Sequence, residues 1–141
     1  MANYGNIPWT NAADFAAKAA ALKAVIAERL RKAGATTVAV HHPAWGHFAE
    51  AFGLEQIAVE SHGQSPGARH LADFEKKIRE RGVKTLLVQN EAERRRVAAF
   101  ARKCGLRVVV VDPLAADVLG TLGATADALC GADAGAKPAT P

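Results

Sequence analysis

Four short runs rich in β-branched residues, at positions 36–42, 54–60, 84–90 and 106–112, constrain this chain more than any other feature. Their centres are almost continuously apolar, as in Val108-Val109-Val110-Val111. Strands that are apolar on both sides are covered on both faces, and such strands usually pair in parallel. Between and after them come segments with helical spacing: Trp45, Phe48, Ala49, Phe52; Leu71, Phe74, Ile78; Val97, Phe100, Ala101, Cys104; and Leu114, Val118, Leu122, Leu129. A longer helix precedes them, with Phe15, Ala19, Leu22, Ile26 and Leu30 on one stripe and Asn11/Asp14 resembling a capping pair. Gly34, Gly53, Gly82 and Gly105 stand where a left-handed residue must end each helix before the next strand. The pattern predicts a single doubly wound α/β domain: a four-stranded parallel sheet flanked by helices on both faces.

A chain of 141 residues, 50% hydrophobic and 23% charged, suits one packed core. The boundaries read as an N-terminal extension at 1–10, a long helix at 11–33, the α/β body at 34–130 and a Gly/Ala/Pro-rich disordered tail at 131–141. No run is long and apolar enough to span a bilayer, and the start lacks the basic-then-apolar pattern of an export signal. The chain is therefore expected to be soluble and not membrane-spanning. The net charge of +4 lies mainly at Lys76-Lys77, Arg79, Arg81, Arg94-Arg95-Arg96 and Arg102-Lys103, interleaved with Glu75, Glu80, Glu91 and Glu93. With no aromatic residues among them to stack bases, these read as solvated helix faces, and no nucleic acid is expected as a partner. Cys104 and Cys130 fit no disulfide framework or zinc-finger spacing; they read as free thiols, with a single disulfide open only in an oxidising compartment.

Ligands of an open parallel sheet bind beyond the carboxyl ends of its strands. That rule selects His41-His42, Glu60-Ser61-His62, Gln89-Asn90 and Asp112. His42-Pro43 and Asp112-Pro113 share a design: proline biases the residue before it toward extended backbone and can itself occupy a first helical turn. Imidazole and carboxylate are both zinc ligands, and zinc usually takes four. Against this, Asp before a helix is commonly only an N-cap. The His41-His42 pair is less easily set aside, since strand alternation sends one ring toward the core and the other to the opposite face. His47 lacks the spacing of a zinc-protease pair, His62 sits in a Gly/Ser/Pro loop, and His70 begins a helix and reads as exposed. No dinucleotide fingerprint, Walker loop or nucleophile elbow occurs, so the chain is not expected to be an enzyme.

The segments HHPAWGHFAEAFGLEQIAVE (41–60), GQSPGARHLADFEKKIRERGVKTLLVQ (63–89) and RVVVVDPLAADVLGTLGATADAL (107–129) carry a family resemblance. Together they resemble the C-terminal lobe of the zinc and manganese solute-binding proteins of ABC importers, a family that includes adhesion-type lipoproteins. Its members show a strand ending in His-Asp-Ala or His-Pro-Ala plus an aromatic and Gly, a Gly-Leu start to the second strand, a Pro-Ser-x-x-His-Leu helix start, and a final strand ending Asp-Pro-Leu. The resemblance covers nearly everything after Thr36. It implies that His42 and Asp112 are metal ligands; His62 and Glu60 are candidate accessory donors by their place at the second strand end and its loop, not by the resemblance. Manganese-type members resemble this pattern with Glu at the histidine position, so the resemblance implies Zn2+ over Mn2+, in agreement with the softer imidazole. It also implies that 11–33 is part of a long lobe-linking helix, that the setting is periplasmic or extracytoplasmic, and that an ABC permease is a partner.

The departures are as informative. An N-terminal lobe with two further histidines, a signal peptide and a His-rich loop have no counterpart here; Glu-Pro-Gln after the third strand reads Gln89-Asn90-Glu91, and the acidic residue before the Pro-Ser turn reads Ser65. The expected function is weak metal binding by half a cleft, completed by the missing N-terminal lobe, a second copy of the chain, water or His62. Two alternatives stay open: a self-associating scaffold, or an enzyme using His42 with Asp112 or Glu60 as an acid/base pair.

Overall fold

The computed structural model describes residues 10–61 and 64–131. Helix α1 (Thr10–Ala33) leads into β1 (Thr37–Val40), α2 (Gly46–Ala51), β2 (Glu55–Ala58), α3 (Ala68–Glu80), β3 (Thr85–Val88), α4 (Glu91–Cys104), β4 (Arg107–Val110) and α5 (Val118–Leu129). The four strands form one parallel sheet in the order β2-β1-β3-β4. This is the doubly wound α/β architecture expected of the sequence. Each ladder is shorter than its apolar run, because the last two residues of every run lie past the paired segment. Backbone bonds nonetheless follow them one step outward: His41 N–H donates to Leu87 O at 2.9 Å and Val111 N–H to Val88 O at 2.8 Å.

Alternation along the strands divides the core in two. Val38, Val40, Leu87 and Val111 pack with Ile26, Leu30, Phe48 and Ala126, under α1, α2 and α5. Ala39, Ile57, Leu86 and Val88 pack with Phe74, Ile78, Val97 and Ala101, under α3 and α4. The chain steps from β1 to β2, then passes back over β1 to reach β3, so the strand order reverses between β1 and β3. The crevice at such a reversal is where parallel sheets receive ligands.

Glycines at 34, 53, 82 and 105 all have positive φ, from 64° to 70°, as their places before the strands require. Other local expectations need correction. Asn11 lies inside α1 and is not its cap. Pro43 and Pro113 precede α2 and α5 in turns and occupy no first helical turn. The N-cap of α5 is Asp117, whose side chain accepts from Gly120 N–H at 2.9 Å. Leu114 falls outside α5 and is 86% exposed, so it takes no part in the core stripe. Phe15 also faces solvent while Ile26 and Leu30 are buried, so only the second half of α1 docks on the sheet, where Arg29 reaches Asp127 of α5 at 2.6 Å.

The cysteines are free. Cys130 packs on the α1/α2/α5 side and Cys104 on the α3/α4 side, so the sheet itself stands between them. Burial pushes the Cys104 thiol up, with the Glu75 carboxylate acting in the same direction. The basic residues of α3 and α4 meet surface carboxylates, as in Lys103–Glu75 at 3.1 Å and Arg94–Glu91 at 3.4 Å. The tail from residue 132 onward lies outside the described residues.

Candidate metal centre

The parallel register between β1 and β2 pairs Thr37 with Glu55 and Val40 with Ala58. Carried two residues past the ladder, the same offset brings Glu60 opposite His42. Glu60 N–H donates to His41 O at 2.9 Å, which ties the two strand ends together by backbone alone. The Glu60 carboxylate then meets both histidines. Its Oε2 lies 2.6 Å from His42 Nδ1, and its Oε1 lies 3.5 Å from His41 Nε2.

The two rings differ in exposure, as strand alternation requires, yet they converge on one carboxylate. His41 is 4% exposed and neither of its ring nitrogens makes a hydrogen bond among the described residues; the buried Trp45 Nε1 is likewise without one there. His42 keeps 44% of its side chain exposed. A carboxylate holding Nδ1 leaves Nε2 as the nitrogen able to meet an ion. A short turn follows at once, with Ala44 N–H donating to His42 O at 2.7 Å.

Asp112 ends β4 on the far side of β3. Its backbone and side chain both close the turn that contains Pro113: Oδ1 accepts from Leu114 N–H at 2.9 Å and the carbonyl from Ala115 N–H at 3.2 Å. The carboxylate is exposed and is not a helix cap. With two interstrand spacings between β1 and β4, the backbones of His42 and Asp112 emerge about 10 Å apart. Among the described residues no group of three or more His, Cys, Asp or Glu side chains gathers closely enough to hold a metal. The two candidates therefore form at most part of a coordination shell.

The remaining strand end is spent on structure. Asn90 Oδ1 accepts from Glu93 N–H at 2.9 Å and Glu93 Oε2 accepts from Gln89 N–H at 2.8 Å, a reciprocal cap at the start of α4. His70 is half-buried, in contrast to the expected exposure. Its Nε2 lies 2.9 Å from Ala58 O, and since a carbonyl only accepts, Nε2 carries the proton and pins α3 to the sheet edge. His47 is exposed on α2, and His62 lies outside the described residues. The sequence paired Glu60 with His42 only in the acid/base alternative and otherwise offered Glu60 as an accessory donor; the direct hydrogen bond that holds His42 Nδ1 was not foreseen. The missing signal was strand order: once β1 and β2 are known to be neighbours, the offset follows.

A family model described as the periplasmic component A of a zinc-uptake complex, ZnuA, matches residues 9–127. The chain belongs to this family. ZnuA-type proteins are metal-binding solute-binding proteins of ABC importers, not enzymes. A crystal structure of ZnuA matches with a TM-score of 0.76 and 29% identity, over 87% of this chain and 47% of that one. A zinc-bound ZnuA lacking its residues 138–173 matches with a TM-score of 0.75, 29% identity and the same coverage. The laminin-binding protein Lbp of Streptococcus pyogenes matches with a TM-score of 0.71 and 25% identity, over 85% of this chain and 51% of that one. The chain thus spans about half the length of the solved ZnuA-type relatives. A search of curated proteins gave no match. No helix among the described residues is long and apolar enough to cross a membrane.

Proposed function

We propose that this chain binds a transition metal ion, zinc in preference to manganese, as the C-terminal lobe of a ZnuA-type solute-binding protein. His42 and Asp112 are its two ligands. The observation that carries this reading is His42 itself: a half-exposed ring at the strand-order reversal, with Nδ1 taken by Glu60 at 2.6 Å and Nε2 left for an ion. Imidazole nitrogen beside carboxylate oxygen suits zinc, whereas an all-oxygen set would suit manganese.

Two donors fill half of a tetrahedral shell, so the remaining ligands come from outside the chain or from water. The other half of the relatives' length, which by resemblance forms an N-terminal lobe with two histidines, is their natural source; a second copy of the chain is the alternative. Leu114 and Val118, exposed just beyond Asp112, offer apolar surface for such a neighbour. In this reading residues 11–33 are the latter part of the lobe-linking helix, the setting is periplasmic, and an ABC permease receives the metal.

Calorimetric titration with zinc tests the assignment. The parent protein gives a saturable heat, and His42→Ala and Asp112→Ala each weaken binding by at least about tenfold, the equivalent of about 1.4 kcal/mol. Identical heats for all three proteins would remove both residues from the site.

A further inference from the structure

We propose that Glu60 is a positioning residue, which fixes the tautomer and orientation of the His42 ring before any metal arrives. The inference rests on the reading of His42 as a ligand and adds a mechanism that makes it a good one. A neutral imidazole carries its proton on either nitrogen, and only the nitrogen without it can bind metal. An ionised carboxylate only accepts, so the 2.6 Å contact between Glu60 Oε2 and His42 Nδ1 requires the proton at Nδ1. The Nε2 lone pair is then presented outward from the half-exposed ring.

Three features make Glu60 a rigid partner. It lies two residues beyond β2, where the continued register places it opposite His42, so the paired strands set where it leaves the sheet. Its backbone N–H is bonded to His41 O, which anchors it to the same two-residue segment that it serves. Its second oxygen is not left to wander, because the buried His41 ring lies behind it with Nε2 at 3.5 Å from Oε1. Among the described residues His41 has no other hydrogen-bonding partner for either ring nitrogen, so a shift of a few tenths of an ångström closes this contact into a bond that satisfies a buried donor. His41 is thereby assigned as the residue that steadies Glu60, which in turn steadies His42.

Nitrogen-15 NMR of the imidazole groups in metal-free protein reads this directly from the neutral form of each ring. The parent should show His42 with its proton on Nδ1. Glu60→Ala should return His42 toward the Nε2–H form and weaken zinc binding by about 10–100-fold, the usual effect of losing such a partner. A parent His42 already protonated at Nε2 would overturn the proposal whether or not the variant folds. So would a Glu60→Ala protein that keeps the Nδ1–H form or binds zinc as the parent does. The ligand assignment is judged separately by His42→Ala: if that variant alone retains full zinc affinity, His42 is no ligand, whatever its tautomer.

Discussion

Leu87→Ala is expected to destabilise the folded chain by about 3–4 kcal/mol, measured as the loss of unfolding free energy in urea. Leu87 is fully buried at the centre of β3, and it packs on the face closed by α1, α2 and α5. Shortening it opens a cavity among Val38, Val40 and Ile26, and strands paired on both sides have little freedom to collapse into the space. Domains of this size hold only about 5–15 kcal/mol in total, so the loss is a large share of the stability. Leu114→Ala is the matched control: its side chain lies in solvent before α5, and its change should stay within about 0.5 kcal/mol. A Leu87→Ala loss no larger than that of Leu114→Ala would show that the core does not centre on β3.

Zinc should stabilise the protein by nearly as much. An ion that binds only the folded state adds about 2.7 kcal/mol when its free concentration is a hundredfold above the dissociation constant. For a chain of this length that is a rise of roughly 10 °C in the unfolding midpoint, reversed by a chelator. Asp112→Ala, binding about tenfold more weakly, should keep only about 1.4 kcal/mol of the gain at the same free zinc. Manganese at equal concentration should give a smaller shift than zinc, in keeping with a site that includes imidazole. Equal shifts for parent and Asp112→Ala, or a larger shift with manganese, would place the stabilising ion elsewhere or change its identity.

The architecture was legible because its signals are local and repeated. Val108 to Val111, uninterrupted by polar residues, fits a strand covered on both sides, and Gly34, Gly53, Gly82 and Gly105 each mark a backbone conformation that other residues resist. The two candidate ligands were legible because each ends such a strand. What surrounds them was not. The bond from Glu60 to His42 depends on which strands are neighbours, and an apolar run carries no label for its neighbour or register. His70 misled for the same reason: its position near the start of α3 is local, but its bond to Ala58 of β2 is tertiary. The prolines after His42 and Asp112 signalled a first helical turn, but the helices start several residues later because Ala44, Leu114 and Ala115 bond back to His42 and Asp112 first.

The central claim is that His42 and Asp112 share one ion. An anomalous-scattering map from a crystal grown with zinc tests it most directly. The account expects one peak within about 2.0–2.2 Å of both His42 Nε2 and an Asp112 carboxylate oxygen, with Glu60 still on Nδ1. A zinc peak bound to only one of the two residues, or found only elsewhere on the chain, would contradict it.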